Sequence, residues 1–234
     1  MRSDLLTLLF ISVFALFVQA TPCQAPIPAP VGTHRPTSSE DPFVDAAAEI
    51  ARRIAERRGG KAKQAHEAWL KARAAGRFVL IESYVGKGRV RGWTWPDVTP
   101  GPAGPQPLAG QIGNGEYLKG QTAAQFTGID IESLGCPCVA AVLILHEGHR
   151  LEQAVKDSAK TEAEEKAVVS NEQQMWTEDV NNINDVLASE SCCGPCCTWC
   201  CVELYAMKGV AQAKIEQANK FAAERAMPQV PIPQ

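Results

Sequence analysis

Cys136-Pro-Cys-Val-Ala-Ala-Val-Leu-Ile-Leu-His-Glu-Gly-His149, running on through Arg150-Leu-Glu-Gln153, decides how the rest of the chain is read. From Val139 to Leu145 every residue is apolar, so a helix here has no face for solvent and belongs at the centre of a globular core. Seven apolar residues are far too few to cross a bilayer. Two histidines, a glutamate and an arginine then follow within five positions. At the end of a buried helix such groups must pair, bind something or reach water, because burying them unpaired is costly.

The cysteines at the start of this stretch belong to a larger set. The chain has nine, and eight of them fall in two groups: Cys136 and Cys138, then Cys192, Cys193, Cys196, Cys197, Cys200 and Cys201. Their redox state follows from the compartment. Arg2, the apolar run Leu5 to Val18 and the small-residue site Val18-Gln-Ala20 have the anatomy of a secretory signal peptide over residues 1–20. The expected location is therefore secreted or periplasmic, where thiols become disulfides. Bonds from the 192–201 stretch to Cys136 and Cys138 are expected, out of 105 possible pairings of eight cysteines. Kept reduced at a helix start, the same thiols would instead be ligands for zinc or copper.

The 234 residues suffice for one good core, and a net charge of -3 gives no electrostatic case for nucleic acid or an anionic membrane. Once the signal is removed, no membrane insertion is expected. Residues 21–40 are proline-rich and poor in large apolar groups, which predicts a disordered linker with His34 solvated. Asp41-Pro42 then opens a helix with Phe43, Ala47, Ile50 and Ile54 at helical spacing, stopped by Gly59-Gly60. A second helix, about 61–75, carries Ala65, Ala68, Trp69 and Ala72, so the two form a helical hairpin. Phe78 to Val85 is a run of strand formers expected to pair with Val90 to Trp95, and Ile129 to Ile131 reads as a short edge strand. Trp93 and Trp95 in this region fit either a ligand stack or a core edge. Residues 151 to 188 are charged and helical, with a break near Asn171 allowed for. A last helix begins at Gly194-Pro195 and ends near Ala226, leaving 227–234 as a flexible tail. On its wheel Leu204, Met207, Val210, Ala211, Ile215, Ala218, Phe221 and Ala222 share one arc of roughly 140°, and Glu203 falls inside it. The fold class is thus mainly α: one helical domain, 41–226, with a small β element and disulfide-braced central helices.

His146-Glu147-Gly148-His149-Arg150 after Val142-Leu-Ile-Leu145, with Glu203-Leu-Tyr-Ala206 downstream, resembles the zincin-type, gluzincin-like zinc metallopeptidases over roughly residues 129–217. In an H-E-x-x-H helix, histidines four apart lie within about 40° and share a zinc, while the glutamate about 100° from the first faces the metal-held water as general base. A later glutamate in an E-x-x-A setting is the third ligand. The resemblance implies zinc as cofactor, His146 and Glu203 as ligands, Glu147 as catalytic base, and a peptide or protein substrate.

The motif is degenerate. Arg150 stands where the second histidine belongs, and His149 is three residues from His146 rather than four. Ligands three apart differ by about 60° and can still share a metal. His149 then lies about 160° from Glu147 on the wheel, which sets the base apart from a water held by both histidines. Three arrangements are open. His146, His149 and Glu203 hold zinc with weak or no hydrolysis. Or Arg150 occupies the missing ligand's place, pairs with Glu203 or Glu147, and replaces the metal. Or these are ordinary polar residues of a non-catalytic, disulfide-rich secreted structural or interaction protein.

Overall fold

The computed structural model describes residues 29–85, 92–94, 127–151, 161–189, 192 and 198–234. The signal segment, Trp95, and Cys193, Cys196 and Cys197 lie outside them. In chain order the described residues form strand β1 (Ala29–His34), helices α1 (Asp41–Arg58) and α2 (Gly60–Ala74), strands β2 (Phe78–Val85), β3 (Gly92–Thr94) and β4 (Thr127–Asp130), a 3-10 turn (Ile131–Gly135), and helices α3 (Pro137–Leu151), α4 (Glu162–Ser189) and α5 (Thr198–Glu224). Helix dominates, and the small sheet is secondary to it. No helix among the described residues is long and apolar enough to cross a membrane.

The sheet has the order β1-β2-β4-β3. Spacing predicts that β2 forms a hairpin with the residues around Trp93; instead β2 pairs antiparallel with β1 and parallel with β4, and β3 pairs with β4. The reason lies in the run Phe78-Val-Leu-Ile81, which is buried residue after residue. A strand without alternation is covered on both faces and sits inside a sheet, with a neighbour on each edge. β4, expected at an edge, is likewise internal and buried along its whole length.

β1 lies within the stretch expected to be a disordered linker. Its last residue, His34, is not simply solvated. Its Nδ1 meets Glu82 Oε1 at 2.8 Å and its Nε2 meets Glu40 Oε1 at 3.1 Å, so one imidazole ties the strand to β2 and to the start of α1.

α1 and α2 form the expected hairpin, hinged at Gly59 and Gly60, whose φ values of 65° and 47° favour residues without a Cβ. The buried stripe of α1 is Val44, Ala47, Ala51, Ile54 and Ala55, which leaves Phe43 54% exposed. α2 buries Ala62, Ala65, His66, Trp69 and Ala72. Against this hairpin lies α3, buried on all sides from Cys138 to Leu145 as its composition requires.

α4 runs unbroken through Asn171 and is fixed to α1 by two ion pairs, Arg57 to Asp185 at 2.6 Å and Arg58 to Glu178 at 2.7 Å. Disulfides Cys136–Cys200 and Cys138–Cys192 join the start of α3 to the start of α5 and the turn before it, as expected from the two cysteine groups. Cys201 is disulfide-bonded as well. α5 closes in a Schellman turn: Met227 N–H donates to the Ala222 carbonyl at 2.8 Å, with Ala226 at φ 52°. The residues after it, expected to be a flexible tail, are fastened along α4 and α5 by side-chain amides.

Candidate functional site

The polar end of α3 faces α4. His146 Nδ1 stands 2.6 Å from Asp179 Oδ2, and the carboxylate is almost wholly buried. On the other side of the ring, with the imidazole in its neutral form, the Arg150 Nε–H donates to His146 Nε2 at 3.4 Å. Arg150 also donates to Glu172 Oε1 at 3.3 Å and lies 5.8 Å above the centre of the Trp176 ring. Trp176 Nε1 donates to Glu172 Oε2 at 2.8 Å and its ring stands 4.8 Å from that of His146. The cluster is built by helical register: His146 and Arg150 are four apart on α3, and Glu172, Trp176 and Asp179 repeat at four and three on α4. Arg150 therefore meets Glu172, a carboxylate that sequence spacing does not single out.

Electrostatics separates the two histidines. Burial and, less strongly, the Arg150 guanidinium oppose charge on His146, but attraction to Asp179, the hydrogen bond to it and the field of Glu147 outweigh them and raise its pKa. His149 goes the other way: burial, with His146 and Lys61 adding, lowers its pKa against the pull of Asp179 and Glu178, and its Nε2 has no hydrogen-bond partner among the described residues. His66 on α2 is also pushed down, mainly by burial.

The shift on His146 fixes the sign of a pH effect. A raised folded pKa contributes stability that is complete below the unfolded value of about 6.5 and is lost as pH rises through the folded pKa. Asp179→Asn is expected to bring the His146 titration down towards the ordinary imidazole range and to flatten the loss of stability across that window. Ring-proton NMR titration with urea unfolding at several pH values measures both; a wild-type His146 that titrates below 6.5 refutes the ionic pairing.

Glu147 is buried, with an oxygen 4.0 Å from His146 Nε2. Glu203 is a correction to the wheel. The residues of α5 that are buried are Cys200, Leu204, Ala211, Ile215, Ala218 and Ala222. Val210 and Phe221, expected inside with Glu203, are 56% and 39% exposed. The core-facing arc is narrower than the spacing predicts and its centre is turned by about 40°, which leaves Glu203 half-buried beyond its edge. Among the described residues no three His, Cys, Asp or Glu side chains are grouped so as to hold a metal ion, so His146, His149 and Glu203 are not brought into a common ligand set. A zinc ion does not fit at His146 Nε2 as the side chains stand, since the Arg150 guanidinium takes that nitrogen.

Asp179 is the residue of this cluster that sequence spacing passes over, although a signal for it exists. Met175, Asp179 and Ile183 are four apart, and Asn182 and Val186 continue the same inward face. A carboxylate inside an apolar stripe needs a partner on the helix it faces. Gly148 is the second. Its position against α2 leaves no room for a side chain, since an ideal Cβ there would lie 2.1 Å from the Ala65 carbonyl oxygen.

The chain matches no protein-family model, no curated protein and no solved structure.

Proposed function

We propose that the chain is an exported, divergent zinc-metallopeptidase-like protein in which a guanidinium has taken the place of the metal, and that it binds partners without hydrolysing them. One observation carries this reading: Arg150 Nε lies 3.4 Å from His146 Nε2, the nitrogen that an H-E-x-x-H histidine would turn towards zinc. The opposite nitrogen supports it too. A metal-binding histidine commonly donates its other ring N–H to a carboxylate, and Asp179 holds that position at 2.6 Å. The cluster thus keeps the outer support of a metal site while an arginine, which cannot be displaced by deprotonation, neutralises the carboxylates around it. Disulfides between the central helices are compatible with an extracytoplasmic chain, and a secreted or periplasmic location is part of the proposal.

Metal content of the natively purified full chain tests the first half of the reading. The expected result is far less than one zinc per chain, with no cleavage of a quenched-fluorescent peptide library. Arg150→His tests the ancestry: imidazoles four apart on α3 are expected to confer zinc binding at micromolar levels, lost again on adding His146→Ala. Stoichiometric zinc in the wild type, removed by His146→Ala, overturns the substitution of metal by arginine. No gain of zinc binding in folded Arg150→His overturns the peptidase lineage.

A further inference from the structure

The chain beyond α5 is held as a ligand is held. After the turn at Ala226 it runs back along the groove between α4 and α5. Gln173 Nε2 donates to the Pro228 carbonyl at 3.1 Å. Asn219 grips Val230 twice, donating to its carbonyl at 2.8 Å and accepting from its N–H at 2.9 Å. Gln212 donates to the Pro233 carbonyl at 2.8 Å and Asn184 to the Gln234 carbonyl at 2.9 Å. Between these contacts Val230 and Ile232, like Trp176, pack on the cluster of Val180, Ala211 and Ile215. The groove residues form one face of each helix: Gln173, Trp176, Val180 and Asn184 on α4, and Gln212, Ile215 and Asn219 on α5.

The division of labour is that of peptide recognition. Each of these amide bonds to the tail goes to its backbone, so they recognise an extended chain, and the apolar floor selects the side chains at Val230 and Ile232. Pro231 and Pro233 carry no N–H and fix φ near −65°, which pre-organises an extended strand at little entropic cost. The same alternation occurs once more in the sequence. Ala25-Pro26-Ile27-Pro28 repeats Val230-Pro231-Ile232-Pro233 with one apolar residue made smaller.

From these two observations we infer that the α4–α5 groove is a recognition site for an extended x-Pro-Ile-Pro peptide. The C-terminal strap fills it in cis, and residues 25–28 of a second copy of the chain fill it in trans when the strap is released. The strap has the advantage of tethering, since a segment linked by so short a turn competes at millimolar effective concentration. Alanine at position 25 offers less apolar surface than Val230, so exchange in trans is weak in the wild type and exposed by loosening the strap. This goes beyond the reading of the α3 cluster and does not depend on it.

Fluorescence anisotropy of a labelled peptide of residues 21–34, titrated with the full chain, tests the idea. Ile232→Asp, which expels the strap's anchor, is expected to bind the peptide at least tenfold more tightly than the wild type does. Adding Asn219→Ala to that variant, or Ile27→Asp to the peptide, is expected to remove the binding. Should Ile232→Asp lose its helical circular dichroism, Ile232→Ala is measured for the same results. Equal affinity for wild type and strap-released chain, no binding to the released chain, or binding that survives Asn219→Ala each overturns the proposal.

Discussion

Gly148→Ala is expected to destabilise the fold by roughly 3 kcal/mol or more, a cost at the upper end for overpacking because the clash is with backbone. The ideal Cβ would stand 2.1 Å from the Ala65 carbonyl oxygen and 2.7 Å from its carbon. Neither atom is the end of a flexible side chain, so relief comes only by moving α2 away from α3. That movement would open the packing of α2, through Ala65 and Trp69, on a helix that is buried on all sides from Cys138 to Leu145. A stability of about 5–15 kcal/mol in total leaves little room for such a loss. Gly209→Ala is the matched control. It lies in α5 with nothing within 4 Å of its Cβ position, and there alanine is expected to raise stability by roughly 0.5–1 kcal/mol through helix propensity. Urea unfolding of both variants separates the effects. A Gly148→Ala midpoint equal to that of wild type would show that the two helices do not cross as closely as described.

Reduction of the disulfides, Cys136–Cys200 and Cys138–Cys192 among them, is expected to have the largest effect of all. Cys136–Cys200 and Cys138–Cys192 close loops of 64 and 54 residues. Chain-entropy reasoning gives about 4 kcal/mol for either bond alone. The loops are nested, so once one is closed the other constrains only a short additional loop and adds roughly 2–3 kcal/mol. Together they approach the whole stability of an ordinary domain. Thermal unfolding followed by near-ultraviolet circular dichroism, with and without a phosphine reductant, is expected to show the tertiary signal of the reduced chain lost well below the oxidised transition. The double replacement Cys138→Ser with Cys192→Ser is expected to fall between the two. An unchanged transition after complete reduction, verified by thiol titration, would mean that packing alone holds α3 to α5.

The parts that sequence made legible are those carried by composition or by strictly local pattern. Val139 to Leu145 could only be a core helix, and it is buried on every side. Gly59-Gly60 could only end one helix and begin another. Two cysteine groups in a chain with an export-like N-terminus pointed to bonds between them, and those bonds are present. The misplaced residues share one cause. Phe43, Val210 and Phe221 obey the 3.6-residue period, but a period fixes relative angles and not the direction in which the stripe points. That direction was set by which neighbour each helix met, and small alanines won the buried positions from larger side chains where helices lie close together.

For the α3 cluster the same division holds. Sequence determined that polar groups at residues 146–150 emerge from a buried helix, that an arginine stands in a ligand's place, and that cysteines brace the helix at its start. Only the tertiary structure decided the partners: Asp179 and Glu172 rather than Glu203, and a groove along α4 and α5 on which Val230 and Ile232 are partly buried. Hydrogen bonds and ion pairs across helices depend on register and distance between segments remote in the chain, and no local propensity encodes those.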